Sequence, residues 1–257
     1  MSIDLSRDAD GVATVLMNRP EKRNAFTLDM YREFGRVMRE LDADDAVRCV
    51  VLRGAGGAFC AGSDIGGFEE DRDGAAQAAE YALFTLSMTD TLKHLRHPTV
   101  ACIEGVCVGG GLELAALCDI RIGGRNSRYG IPVNRIGLTV DHQELADLIS
   151  VVGAARVLEI LLEGNIFGAE EAMSKGLLSR IVDDERVAEQ AYASARRIAA
   201  AAPLVNRWHK RFVGQLREGR ELSADERSEA YACFGTEDYR RGREAFAAKR
   251  IPEFIGR

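Results

Sequence analysis

The sequence has no long apolar run and no cluster of basic residues. No window reaches the roughly eighteen apolar residues that a membrane-spanning helix needs. The 34 Lys and Arg residues are spread along the chain and are outnumbered by 40 Asp and Glu, which gives a net charge of −6. These absences argue against nucleic acid and against an anionic membrane as partners, so the expected ligand is a dissolved small molecule.

The four histidines and six cysteines lack the close spacing that metal ligands require. The cysteines stand mostly in apolar, strand-like segments, without the paired spacing of a zinc ribbon. We therefore expect reduced thiols in the core and no metal site. The amino terminus has neither a basic nor an apolar segment of the kind that begins a secretory leader. These features predict a cytoplasmic protein.

Two glycine-rich segments, 54–64 (GAGGAFCAGSD) and 105–113 (GVCVGGGLE), are the most informative part of the sequence. Each directly follows an apolar, β-branched run, at 50–52 and 99–103. Glycine allows the backbone to approach a ligand closely. Two such loops can direct backbone N–H groups at one oxygen atom, which is the requirement for an oxyanion hole.

The order of strand, glycine loop, helix and strand occurs twice and predicts an α/β core. A chain of 257 residues with 46% hydrophobic content can bury a large core. We expect the core to cover 1–202 and a helical appendage to cover 203–257, with Pro203 at the boundary. The predicted strands are 11–17, 48–53, 99–104 and 119–122. The predicted helices are one capped by Thr27, one at 75–95, one beginning near Gly110, and those at 188–202, 204–216, 223–233 and 237–249.

Three long motifs, in a fixed order, carry a family resemblance. They are MNRPEKRNA at 17–25, AFCAGSDI at 58–65 and GGGLELA at 109–115, and shorter matches continue to 254. In this order and spacing they resemble the crotonase superfamily, also called the enoyl-CoA hydratase/isomerase family. The resemblance implies an α/β fold, built as a spiral of ββα repeats and followed by a C-terminal helical trimerisation region.

The same resemblance implies a function. It implies an enzyme that binds an acyl-CoA thioester and stabilises its enolate, with coenzyme A as part of the substrate and no separate cofactor. The backbone N–H groups of Ser63 and Gly110 match the two oxyanion donors of the family. Gly110 is expected to open a helix, where unpaired N–H groups and the helix dipole favour an anion. The implied assembly is a homotrimer or a dimer of trimers.

Several positions match those that line the coenzyme A path in the family. Basic side chains there would meet phosphates, although surface Lys and Arg are also common without any function. The two carboxy-terminal positions reach the nucleotide in some members, sometimes from a neighbouring subunit. The matching residues are Lys22, Arg23, Ala25, Ala61, Asp64, Ile65, Phe246 and Lys249.

The sequence departs from the family pattern at the second catalytic position. Hydratases of the family hold the added water between two glutamates, and Glu113 matches the first. The second normally follows a proline, where this chain has Val133. Valine cannot transfer a proton, so ordinary hydration with two glutamates is disfavoured. Asp141 matches a working aspartate of dienoyl-CoA isomerases and can supply the second acid/base group.

Alternatives remain for both the residue and the reaction. Asp141 also fits the N-cap of a helix, with Glu144 completing a capping box. His142 could move protons near neutral pH, or could be an ordinary surface group. Three functions therefore stay open: a hydratase/isomerase-type enzyme, a double-bond shift that uses Glu113 and Asp141, and a CoA-thioester binding protein without turnover.

Overall fold

Strands and helices alternate along the chain in a computed structural model that describes residues 2–64, 66 and 74–257. The strands are β1 (Ile3–Arg7), β2 (Val12–Met17), β3 (Cys49–Gly54), β4 (Thr99–Ile103), β5 (Val106–Val108), β6 (Ile120–Gly124), β7 (Arg128–Gly130), β8 (Phe167–Gly168) and β9 (Arg180–Val182). The helices are α1 (Leu28–Ala43), α2 (Ala75–Lys93), α3 (Gly110–Leu117), α4 (His142–Val152), α5 (Ala154–Glu163), α6 (Ala169–Ser174), α7 (Val187–Ala199), α8 (Pro203–Arg217), α9 (Ala224–Glu229) and α10 (Glu237–Ala247). Pairs of strands precede helices in ββα units, such as β1–β2–α1 and β4–β5–α3, which confirms the predicted α/β class.

The main sheet has six strands in the order β1-β2-β3-β4-β6-β9. Only β1 pairs antiparallel with its neighbour, and the other pairs are parallel. Its central strands, such as β4, are buried on both faces because helices cover the sheet from both sides. Such strands are continuous apolar runs rather than alternating ones, which is why they were visible in the sequence. A smaller sheet has the order β5-β7-β8.

Helix α1 begins where the sequence predicts. The side chain of Thr27 accepts a hydrogen bond from the Met30 N–H at 3.3 Å, which caps the first turn. Apolar residues at helical spacing face the core, and the buried ones are Met30, Tyr31, Phe34, Val37, Met38 and Leu41. The cap and this apolar face fix both the start and the rotation of α1, and the rotation turns Tyr31 inward.

The two glycine loops lie side by side because β3 and β4 are parallel neighbours and both loops leave the same edge of the sheet. The Cys60 N–H donates to Val106 O at 3.0 Å, and the Val108 N–H donates to Cys60 O at 3.1 Å. Cys60 and Cys107 thereby form a parallel bridge. The sequence-predicted meeting of the two loops is therefore a backbone contact.

A buried amide anchors the first motif to the first glycine loop. Asn24 is fully buried in a left-handed conformation, and its Nδ2 donates to Ala55 O at 2.9 Å and to Ala58 O at 2.7 Å. Its Oδ1 accepts from the Arg19 N–H at 2.9 Å. Because both ends of the amide are bonded, the loop at 18–25 is held against the loop at 54–64.

The last part of the chain is mostly helical, and its end contacts a residue that directly precedes β3. Helix α8 begins at Pro203, and Arg48 Nη2 donates to Phe254 O at 2.8 Å. The prediction of one helix over 223–233 is wrong: α9 ends at Glu229, and a separate 3₁₀ turn covers Ala232–Gly235. The division into 1–202 and 203–257 stays a prediction. No described helix is both long and apolar enough to cross a membrane.

Candidate active site

The backbone N–H groups of Ser63 and Gly110 lie where the two loops meet. Ser63 forms a parallel bridge with Phe26, in which the Phe26 N–H donates to Gly62 O and the Asp64 N–H donates to Phe26 O, both at 2.8 Å. This pattern turns the Ser63 N–H away from Phe26. Gly110 is the first residue of α3. Within the described part of the chain, neither N–H has a hydrogen-bond acceptor.

Gly62 and Gly110 bring these two donors together. A Cβ added at Gly62 would lie only 2.9 Å from the Gly110 nitrogen, so the absence of a side chain lets the loops touch. Gly62 also has φ +93°, which L side chains rarely adopt. The glycine at this position is therefore required both by its backbone conformation and by the close approach.

A cavity opens beside Gly110, between α1, α2, α3 and α4. Its wall includes Tyr31 and two glutamates, Glu113 from α3 and Glu144 from α4. Apolar side chains, among them Leu86, Leu114 and Leu148, line it as well. An apolar cavity with a few converging polar groups is the usual form of a small-molecule site.

The Ser63 hydroxyl forms a hydrogen bond with the Tyr31 hydroxyl. The two hydroxyl oxygens are 2.9 Å apart, and the tyrosine side chain is buried. Burial raises the pKa of Tyr31, so the phenol is neutral and can donate to Ser63 Oγ. Tyr31 was not among the predicted site residues. Its signal in the sequence was its position on the apolar face of α1, which predicts burial but no role.

Glu113 faces the cavity from the first half of α3. A Cβ added at Gly110 would lie 3.7 Å from Glu113 Oε2, so the carboxyl group is close to the predicted oxyanion donor. Burial raises the pKa of Glu113 well above its ordinary value, and the charge of Glu144 and a hydrogen bond with Glu144 raise it further. Glu113 is thus a carboxyl group that holds its proton to higher pH than an exposed glutamate does.

The structure brings Glu144, rather than Asp141, to the cavity wall. Asp141 caps α4: its Oδ1 accepts from the Gln143 N–H at 2.8 Å, and its own N–H donates to Glu144 Oε2 at 3.1 Å. Asp141 and Val133 are not among the described residues that line the cavity, and His142 is exposed on the first turn of α4. The capping box is confirmed, while a catalytic role for Asp141 stays a prediction.

The predicted coenzyme A positions occupy two regions. Asp64 pairs with Arg19 at 2.7 Å, and this guanidinium holds the pKa of the Asp64 carboxyl below its usual range. Ala61 donates its N–H to Arg23 O at 3.0 Å, and the side chains of Lys22 and Arg23 are exposed nearby in the chain. Arg19 was missed by the sequence reasoning.

Two further predicted positions lie near the end of the chain. Phe246 is in α10 with 87% of its surface exposed, and the exposed Lys249 follows that helix. Neither is among the described residues that line the cavity beside Gly110. Ile65 lies outside the described residues. The assignment of these positions to coenzyme A stays a prediction.

Comparison with known proteins identifies the family. The family model for enoyl-CoA hydratase/isomerase matches residues 7–257. The chain is 32% identical to the 1,2-epoxyphenylacetyl-CoA isomerase of Escherichia coli K12, over the full length of both chains. It is 31% identical to the short-chain-enoyl-CoA hydratase of Clostridium acetobutylicum, over 93% of this chain and 92% of the relative.

Solved structures agree with the sequence comparison. An enoyl-CoA hydratase/carnithine racemase from Magnetospirillum magneticum superposes with a TM-score of 0.98 at 42% identity, over 100% of this chain and 96% of the other. The enoyl-CoA hydratase of Bacillus anthracis gives a TM-score of 0.90 at 25% identity, over all of both chains. The chain therefore belongs to the enoyl-CoA hydratase/isomerase family of the crotonase superfamily, and it is an enzyme of the hydratase/isomerase type.

Proposed function

We propose that this enzyme binds an acyl-CoA thioester and catalyses a reaction through the thioester enolate. The observation that carries the proposal is the close approach of Gly62 to the Gly110 nitrogen beside the Glu113 carboxyl, where the N–H groups of Ser63 and Gly110 have no acceptor among the described residues. Donors fixed in this way stabilise negative charge on an oxygen without reorganising during the reaction. Coenzyme A is then part of the substrate and not a separate cofactor.

Each group has a defined task in the proposed step. The thioester oxygen accepts hydrogen bonds from the Ser63 and Gly110 N–H groups. When Glu113 removes a proton from carbon, the electron pair of the C–H bond moves to the thioester oxygen, where the two donors hold it; when Glu113 delivers a proton to carbon, that electron pair returns and forms the new C–H bond. Loss of one such donor costs roughly 2.7–4 kcal/mol of transition-state stabilisation.

Two reactions are compatible with this step. The relatives include both a hydratase and an isomerase that are named for CoA substrates, which supports the acyl-CoA class more strongly than any one reaction. Val133, in place of a second glutamate, disfavours hydration with two glutamates, because valine cannot hold or protonate a water, and it equally removes the base that single-glutamate isomerases of the family tend to carry at this position. The second candidate is therefore a double-bond shift like that of dienoyl-CoA isomerases, with Glu113 and Asp141 as the acid/base groups.

The residues proposed to bind coenzyme A are those that match the family's coenzyme A positions. Exposed basic side chains of the first motif would meet the phosphates of coenzyme A. The positions proposed to line the coenzyme A path are Lys22, Arg23, Ala25, Ala61, Asp64, Ile65, Phe246 and Lys249.

Exposed large apolar side chains in 203–257 support a homotrimer or a dimer of trimers, and they include Val213, Leu216, Tyr231 and Phe246. Six free cysteines, five of them buried, support a reducing, cytoplasmic location.

The test is mass spectrometry of saturated, enoyl, dienoyl and aryl CoA thioesters, each incubated with the enzyme in D₂O. The proposal predicts deuterium uptake, water addition or a double-bond shift in at least one class, and loss of that product in Glu113→Gln. Glu163→Gln, which removes an exposed carboxylate outside the cavity wall, is the matched control. Binding of every thioester without any change in mass or isomer would support a binding protein instead.

A further inference from the structure

We infer that Glu144 is the proton-sharing partner of Glu113, and that it takes the part of the acid/base group that Val133 cannot supply. This inference rests on the proposed function, because it adds a residue to the same reaction. In the sequence Glu144 is only the third residue of a capping box. Its place in the cavity follows from the approach of α4 to α3.

The two carboxyl groups share one cavity. Glu113 and Glu144 come from two different helices and both line its wall, and Glu144 is close enough for its charge to raise the pKa of Glu113. Two neighbouring carboxyl groups can hydrogen-bond to each other when one of them carries a proton. The pair therefore holds one proton between two groups, since two like charges at contact distance cannot both ionise easily.

The capping box holds the side chain of Glu144. Its Oε2 accepts the Asp141 N–H at 3.1 Å, and Asp141 Oδ1 accepts the Gln143 N–H at 2.8 Å. These bonds restrict the side-chain conformation of Glu144, which lines the same cavity as Glu113. The side chain of Asp141 thus caps α4, while its backbone N–H positions Glu144.

The other charged groups in the described part of the cavity wall have partners of their own. On α2, Lys93 forms an ion pair with Asp147 of α4 at 2.8 Å, and Asp90 accepts a hydrogen bond from Gln143 Nε2 at 3.3 Å. From α1, the cavity receives the neutral phenol of Tyr31. Lys93, which belongs to the described part of this wall, is thus paired with Asp147.

The carboxyl pair gains one proton and returns one proton in the proposed enolate reaction. The ionised member of the pair takes a proton from the substrate carbon, and the C–H electrons move to the thioester oxygen. The protonated member then returns a proton, through the pair, to the same or to a neighbouring carbon, and the electrons return from oxygen to form the new C–H bond. No oxidant, reductant or metal is needed, and the pair ends with one proton as it began.

The experiment compares the pH dependence of kcat/KM in Glu144→Gln and in the unchanged enzyme, with the active thioester found in the panel above. Glutamine can still complete a capping box, so α4 keeps its start. We expect kcat/KM to fall roughly tenfold or more. The apparent pKa that the pH profile assigns to Glu113 should move down, because the like charge and the shared proton are gone. Glu113 remains buried, so its pKa should stay above the ordinary value of a glutamate.

Further variants separate the possible failures. Glu163→Gln should leave the rate and the pH profile unchanged. A Glu144→Gln variant with the rate and profile of the unchanged enzyme would overturn the inference, and a pH shift seen in Asp141→Asn alone would move the role to Asp141. Full activity in Glu113→Gln would instead overturn the proposed function itself.

Discussion

Gly62 lies so close to Gly110 that a methyl group on Gly62 would be 2.9 Å from the Gly110 nitrogen. Gly62→Ala is therefore predicted to block the Gly110 N–H sterically and to strain the backbone of the glycine loop at 54–64. We expect kcat to fall by roughly 100-fold or more, as when one such donor is lost. Steady-state kinetics with the active thioester measures this change.

Gly57→Ala is the matched control for that variant. Gly57 also has a positive φ, of +74°, but a Cβ added there meets nothing within 4 Å. The control carries the same kind of backbone strain without approaching a donor. Equal losses in the two variants would mean that strain, and not the blocked N–H, explains the effect.

The Ser63 hydroxyl is predicted to serve structure and not chemistry. Ser63→Ala keeps the backbone N–H but removes the partner of the Tyr31 hydroxyl, 2.9 Å away. Leaving this buried hydroxyl unpaired should cost about 1–3 kcal/mol in the free energy of unfolding, while kcat stays within about tenfold. Urea unfolding and steady-state kinetics check the two parts.

Tyr31→Phe completes a double-mutant cycle with Ser63→Ala. Because both variants break the same hydrogen bond, the double variant should lose less stability than the sum of the two single variants. Complete loss of activity in Ser63→Ala, with the fold intact, would instead make the hydroxyl a nucleophile and contradict this role.

Glu113 is predicted to destabilise the folded enzyme as pH rises. Its folded-state pKa lies above the ordinary value of 4.5, so the native state favours the protonated form. The stability that this group contributes is fully present below pH 4.5 and is lost as pH rises through the raised pKa. Glutamine is neutral throughout, so Glu113→Gln should gain stability relative to the unchanged enzyme between pH 5 and pH 8. Denaturant unfolding at the two pH values measures the gain, and a stability difference that is the same at both would contradict it.

His97 is predicted to make the protein sensitive to mild acid. It is fully buried, its Nε2 lies 3.0 Å from Leu41 O, and burial, with the charges of Arg207 and Arg96, lowers its pKa from 6.5 to about 4. The neutral form is favoured in the fold, so the contribution to stability is complete above pH 6.5 and is lost as pH falls toward 4.

Between pH 7 and pH 5, the free energy of unfolding of the unchanged protein should fall by on the order of 2 kcal/mol more than that of His97→Gln. Unfolding in guanidinium chloride at these pH values measures the difference. His209→Gln, which changes an exposed histidine, is the control. If the two variants respond to pH in the same way, the buried imidazole is not the sensitive group.

Features set by local chemistry were predictable from the sequence. The Thr27 cap, the apolar face of α1 and the two glycine loops each depend on residues within a few positions of one another, so their patterns are visible without the fold. The helical prediction over 223–233 failed because Ala232–Gly235 tightens into a 3₁₀ turn after α9 has ended.

The contacts that complete the cavity depend on helices far apart in the sequence. Glu144 had a sufficient local explanation as the third residue of a capping box, and only the approach of α4 to α3 places it against Glu113. Tyr31 likewise had a sufficient explanation as a core residue. Its bond to Ser63 appears only when α1 and the first glycine loop are brought together.

Exchange of the α-protons of a saturated acyl-CoA for deuterium is the most direct test of the account. A saturated chain cannot be hydrated and has no double bond to shift, so exchange in D₂O reports only enolate formation. The account predicts exchange with the unchanged enzyme and with Glu163→Gln, and loss of exchange in Glu113→Gln and in Gly62→Ala. Exchange that persists in Glu113→Gln, at the rate of the unchanged enzyme, would contradict the central claim that this carboxyl group and the paired backbone donors form the enolate.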